Sequence, residues 1–150
     1  DAHTSGSHIE RVARTSHRPI LINVGKFKAP RNFMIAYDGR EAADNAITRI
    51  AQSPLLIGLP CHLVMVGEAT LERRYKLDEA QQILEEEGFE VIASINPGKI
   101  YPTLTQYKEE HQIELMAMGA YGHSKLRQFF VGSNTSKMII ESDIPLLILR

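Results

Sequence analysis

Three glycines and a short run of hydroxyl and amide side chains carry the strongest chemical signal in this chain. They are Gly119-x-x-Gly122, nine further residues, and then Gly132-Ser133-Asn134-Thr135. Glycine lets the backbone approach a phosphate closely, and unpaired N–H groups at the start of a helix favour anions. Ser133, Asn134 and Thr135 add donors at the same point, and His123 beside Gly122 is a further candidate donor. Lys125 and Arg127, between the glycines, would either steer an anion or be simply solvated. The alternative to phosphate binding is a plain strand-to-helix loop with Ser133 as the N-cap. Neither G-x-x-x-x-G-K-[ST] nor G-x-G-x-x-G occurs, so the P-loop and the dinucleotide fingerprint are both excluded. The expected ligand is therefore a mononucleotide or another small phosphorylated molecule.

Other residues that could do chemistry read as structural. Asp38-x-x-Glu41 before an apolar run has the form of a capping box, although Asp38 at the end of a strand is also placed to touch a ligand. The six histidines and single cysteine show no metal-ligand spacing. Cys61 has no thiolate-stabilising neighbour and reads as a buried structural thiol. Phe129 and Phe130 read as anchors of the glycine loop, and Glu85-Glu86-Glu87 as a solvated helix end. His123 and Ser124 lack a third orienting group, so no hydrolase triad is expected. No nucleophile with a positioned base stands near the loop.

The elements that must hold this loop alternate along the chain. Phe33 to Tyr37 reads as a strand, and Ala42, Ala43, Ala46, Ile47 and Ile50 follow at helical spacing. Cys61 to Val66 is a continuous apolar run of strand length. A Glu-rich helix with Leu77, Ala80, Ile83 and Leu84 on one face closes at Gly88. Phe89 to Ile95 is the next strand, and Ile100, Leu104 and Tyr107 mark another helix. Ile113 to Ala120 and Ile144 to Leu149 complete the strands. Alternation with strands apolar on both faces predicts an α/β fold, an open parallel sheet with helices on both sides. The first glycine then ends a strand and the last opens a helix, at the carboxyl ends where open sheets bind ligands.

The first thirty residues fall outside that unit, and an internal repeat accounts for them. Gly6-Ser7 stands as far before Pro19 as Gly132-Ser133 stands before Pro145. In the same register Arg11 matches Lys137, Val12 matches Met138, Ser16 matches Ser142, Leu21 matches Leu147, and Ile22 matches Ile148. Two copies of one helix-then-strand ending predict that residues 1–25 are the final helix and strand of a preceding domain. Residues 26–30 are then a linker, and 31–150 a complete domain.

Composition bounds the rest. The chain has 150 residues, 43% hydrophobic and 23% charged, with a net charge of −1. That is enough apolar material for a core without metal or disulfide, and too much for disorder. The balanced charge argues against a nucleic-acid binder. No apolar run reaches the length of a membrane span, and no leader is evident. A single cysteine fits a reducing, cytoplasmic setting.

The G-x2-G-x9-G-[ST] spacing, the isoleucine-bearing helix after it and the closing strand Pro145-Leu146-Leu147-Ile148-Leu149 together resemble the universal stress protein family. The opening strand Met34-Ile35-Ala36-Tyr37-Asp38-Gly39, which ends in an aspartate, resembles it too. The resemblance covers 31–150, with 6–24 as the end of a second copy. It implies an adenine nucleotide α-hydrolase-like fold, five parallel strands ordered 3-2-1-4-5, with ATP across the ends of strands one and four. Carried over residue by residue, Asp38 would hold the adenosine end, and the Met65 backbone would contact adenine. Met118 and Gly119 would meet the ribose. Gly122, His123, Gly132, Ser133, Asn134 and Thr135 would wrap the phosphates, with Mg²⁺ between them. The resemblance also implies that Pro19–Val24 pairs antiparallel with Pro145–Leu149, as an internal pseudo-dimer or through a second copy. The expected function is an ATP-binding stress-response regulator or sensor, with at most slow ATP hydrolysis. The alternative is a non-catalytic dimerisation or interaction scaffold that binds no nucleotide on its own.

Overall fold

Short apolar runs bounded by turn residues become strands, and the longer periodic stretches between them become helices. The computed structural model describes residues 18–23, 25–119 and 144–149. Its elements are β1 (Ile20–Ile22), β2 (Phe33–Ala36), α1 (Glu41–Gln52), β3 (Cys61–Val66), α2 (Leu71–Glu86), β4 (Val91–Asn96), α3 (Ile100–Glu110), β5 (Met116–Gly119) and β6 (Leu146–Leu149).

The strands form one sheet in the order β1-β6-β5-β2-β3-β4. Pairing among β2 to β6 is parallel throughout, and their order is the expected 3-2-1-4-5. β1 adds the expected antiparallel strand: Ile20 faces Ile148, Leu21 faces Leu147, and Ile22 faces Leu146. Side chains alternate between the two faces, so the sheet has a core on each. Phe33, Ile35, Leu63 and Met65 pack under Ile47 and Ile50 of α1 and Leu77 and Leu84 of α2. Met34, Val64 and Met116 pack under Leu104 and Tyr107 of α3. Continuous apolar strands are the consequence of covering both faces.

The ends of the elements have local causes. Thr70 caps α2, its hydroxyl accepting from Arg73 N at 3.1 Å. At the other end Gly88 takes φ +96, its N–H bonds Glu85 O, and Phe89 N bonds Leu84 O at 3.1 Å. That is the two-bond Schellman closure. It engages Phe89, so β4 starts at Val91 rather than at Phe89 as expected, and the Phe89 ring meets Phe33 edge-on. β5 likewise starts later than Ile113. The Ile113 amide bonds Lys108 O across the end of α3, and the Glu114 amide donates to Asn32 Oδ1 at 2.8 Å.

That last contact belongs to a clamp that fixes where the chain enters β2. Glu114 accepts from Arg31 Nη2 at 2.8 Å and from the Arg31 backbone N–H at 2.8 Å. The side-chain and backbone donors of Arg31 hold the Glu114 carboxyl down at about 2. Asn32 Nδ2 donates to Gln112 O at 3.2 Å, in a turn where Gln112 adopts φ +50.

Candidate functional site

α1, which follows β2, and α3, which precedes β5, lie on opposite faces of the sheet. Between adjacent strands whose connections leave in opposite directions a crevice opens at the carboxyl ends. Here it lies at the ends of β2 and β5. Its walls are Ala36, Val64, Val66, Met118, Ile100 and Leu104, with Tyr37, Asp38 and Gly119 where the strands stop. An apolar slot with a carboxylate at its rim is suited to a flat heterocycle carrying a hydroxylated or charged tail.

Three of the expected residues, Asp38, Met118 and Gly119, come together in this crevice. Asp38 Oδ1 accepts from Arg40 N at 2.9 Å, an Asx turn across Gly39, which takes φ +77. α1 begins only at Glu41, and its N-cap is Arg40, which makes no side-chain capping bond. The capping-box reading of Asp38 is therefore replaced by a turn one step earlier in the chain. Met65 is placed differently from the other three. Its side chain is buried beneath α1 and α2, and its carbonyl accepts from Asn96 Nδ2 at 3.3 Å. It lines a neighbouring recess with Arg40, Arg73 and Lys76, which shares Asp38 and Val66 with the crevice.

Gly119 has a packing duty that its spacing did not reveal. A Cβ at this position would stand 2.5 Å from the Ala42 carbonyl oxygen and 3.0 Å from Ala43 N. α1 presents Ala42, Ala43 and Ala46 to the sheet, and this small-residue face lets its first turn rest directly on the end of β5.

Beneath the crevice lies a polar network with no local signature in the sequence. Tyr37 Oη donates to Asp44 Oδ1 at 2.6 Å, and Lys76 Nζ donates to Asp44 Oδ2 at 3.0 Å. It ties the end of β2 to α1 and α2. Burial and the Asp44 bond push the Tyr37 hydroxyl well above its ordinary range, while the Asp44 bond raises Lys76. The phenol is thus a fixed neutral donor. Ile100 and Leu104, read from sequence as a helix core face, also serve as one wall of the crevice.

Gly122, His123, Gly132, Ser133, Asn134 and Thr135 lie outside the described residues, as do Lys125, Arg127, Phe129 and Phe130. Among the described residues no group of three or more His, Cys, Asp or Glu side chains comes together. Asp38 is the one carboxylate lining the crevice there, so a magnesium ion would depend on the phosphates it accompanies. No described helix is long and apolar enough to cross a membrane.

The profile of the Universal stress protein family matches residues 62–150. A universal stress protein of Synechocystis sp. is 31% identical over 147 residues, covering 97% of this chain and 51% of that protein. One of Methanocaldococcus jannaschii is 27% identical over 84 residues, 56% of this chain and 52% of that protein. The chain thus spans about half the length of the curated relatives it matches. Among solved structures, a universal stress protein from Archaeoglobus fulgidus superposes with a TM-score of 0.72 at 22% identity, covering 94% of this chain and 52% of that one. A universal stress protein in complex with cAMP gives 0.65 at 17% identity, covering 82% and 98%. An Archaeoglobus fulgidus universal stress protein in complex with dAMP gives 0.60 at 15% identity, covering 82% and 100%.

Proposed function

The chain belongs to the universal stress protein family, and from that premise we propose that it binds ATP with Mg²⁺ as a nucleotide-dependent stress-response regulator. The observation that carries this reading is the crevice at the ends of β2 and β5, apolar along both walls and rimmed by Asp38. A purine fits between Val64, Val66 and Met118 on the sheet and Leu104 on α3, with Asp38 accepting from the ribose. From there the phosphates lead past Gly119 to the glycine loop, where Gly122, His123, Gly132, Ser133, Asn134 and Thr135 supply donors. The cAMP and dAMP complexes of fold relatives support an adenine nucleotide as the ligand class. Binding, with at most slow hydrolysis, is the proposed role: among the described residues that line the crevice none is a nucleophile with a positioned base.

Calorimetric titration of the chain with Mg·ATP tests this. Micromolar binding is expected, lost in Gly122→Val and weakened roughly tenfold to a hundredfold in Asp38→Ala, the range for losing a hydrogen bond to a charged acceptor. Absence of binding by the folded chain overturns the reading.

A second reading rests on β1. The repeat equates Leu21 with Leu147, and those two residues face each other, so the β1–β6 pair is symmetric about them. This supports residues 1–25 as the end of a preceding domain and the strand pair as an internal pseudo-dimer contact. On this reading the chain is an interaction scaffold whether or not nucleotide is bound.

A further inference from the structure

At the end of the sheet away from the crevice, α3 closes over a buried histidine. His62, on β3, is 8% exposed, and its Nδ1 lies 2.7 Å from Tyr107 Oη. The Tyr107 ring stacks on His111 with centroids 4.0 Å apart, and the His62 and His111 rings are 5.2 Å apart. The phenolic oxygen is also reached by the Ser94 hydroxyl, and Ser94 Oγ accepts from Asn96 Nδ2 at 3.0 Å.

Asn96 Nδ2 also donates to Met65 O, which fixes it as a donor. Tyr107 Oη and His62 Nδ1 share one hydrogen bond, and which of them donates follows the tautomer of the histidine. In the neutral imidazole Nδ1 either accepts from the Tyr107 hydroxyl or donates to it, and both arrangements satisfy the pair. A second proton on the ring would place a cation where the imidazole is buried against Tyr107 and His111. The side chains paired beside His62 on the neighbouring strands are Met34 and Ile92, and α3 and the turn after it contribute Tyr107 and His111. Cys61 lies on the opposite face of the sheet. Among the described residues the only charge that acts on His62 is a like one, from His111. Burial, and then His111, push His62 below its ordinary value. A histidine so depressed destabilises the docked state as pH falls below 6.5 and stops doing so once it is protonated there too.

The element that must give way is α3, and it also walls the crevice. Ile100, Leu104 and Tyr107 lie on one face at helical spacing, the first two against the nucleotide site and the third against His62. Resting on the nucleotide reading above, we propose that a proton on His62 and a nucleotide in the crevice oppose each other through the docking of α3, so that acidification releases the ligand. Linkage is reciprocal, so bound nucleotide makes His62 harder to protonate.

The test uses 3′,5′-cyclic AMP, whose phosphodiester does not titrate near neutrality. Its affinity is measured from about pH 7.5 to about 5.5 for the full chain, His62→Gln and His111→Gln. One linked proton weakens binding by at most about tenfold per pH unit. A fall within that limit is expected in the unmodified chain, none in His62→Gln, and a smaller one in His111→Gln, where the like charge is gone. An equal fall in all three, or none in the unmodified chain, overturns the proposal. Should neither cyclic AMP nor Mg·ATP bind at any pH, the nucleotide link fails with the reading it rests on, and hydrogen exchange still decides the proton half. Protection of the His111 and Ile113 amides, which bond Tyr107 O and Lys108 O, should drop on acidification in the unmodified chain and hold in His62→Gln. Equal protection in both overturns it.

Discussion

Gly119 belongs to a spacing that suggests a ligand, yet the structure gives it a reason to be glycine with no ligand present. A methyl group there would press on the Ala42 carbonyl, and backbone cannot step aside as the end of a flexible side chain can. Gly119→Ala is expected to lower stability by about 1–3 kcal/mol, the usual cost of overpacking, as read by denaturant unfolding without nucleotide. Unchanged stability with lost binding would instead make the residue purely a ligand contact. Asp38 shows the same doubling of roles, since its carboxylate organises the turn at Gly39 while standing at the rim of the crevice. A motif glycine or aspartate can thus have a duty in the fold apart from any ligand, and residue type alone does not separate the two.

At the scale of elements the sequence was legible wherever structure is made by neighbours along the chain. Phe33–Ala36 and Cys61–Val66 are apolar without interruption because both their faces are covered. Thr70 and Gly88 mark the two ends of α2 in the way cap chemistry requires. Thr70→Ala is expected to cost about 1 kcal/mol through loss of the bond from Arg73 N, seen as a lower midpoint in thermal or urea unfolding; an unchanged midpoint would show that packing alone sets the start of the helix. The start of β4 was misplaced because Phe89, a good strand residue, is used to close α2. Invisible in sequence were the Tyr37–Asp44–Lys76 network and the Asn96–Ser94–Tyr107–His62 chain. Their members come from different strands and helices and obey no period, so only the assembled sheet brings them together. For the same reason α3 read simply as a core helix, although Ile100 and Leu104 face the crevice and Tyr107 the buried histidine. Of the expected site residues, Asp38, Met118 and Gly119 line the crevice at the ends of β2 and β5, and Met65 lines the neighbouring recess.

The whole molecule is set by what covers β6. Its apolar residues Leu146 and Leu149 are buried, and along one edge its backbone groups are satisfied by β5. The other edge is taken by β1, whose three residues pair antiparallel with it. Without them β6 would offer an open row of donors and acceptors on an apolar strand, a template for pairing with another chain. The repeat limits what that partner can be. Leu21 and Leu147 are equivalent positions and also face each other, so β6 of a second molecule can occupy the place of β1 with no change of register. Leu147 would face Leu147, and Leu146 would face Ile148, around a true twofold axis where the intact chain has an approximate one. Such an isologous contact closes on itself and stops at two copies. Removing residues 1–25 is therefore expected to convert the protein into a homodimer, or to precipitate it where pairing is slower than aggregation. Sedimentation of the truncated chain beside the intact one reads this directly. A truncated chain that stays a stable monomer would mean that β1 is dispensable decoration, and the two-domain reading built on its register would fall with it.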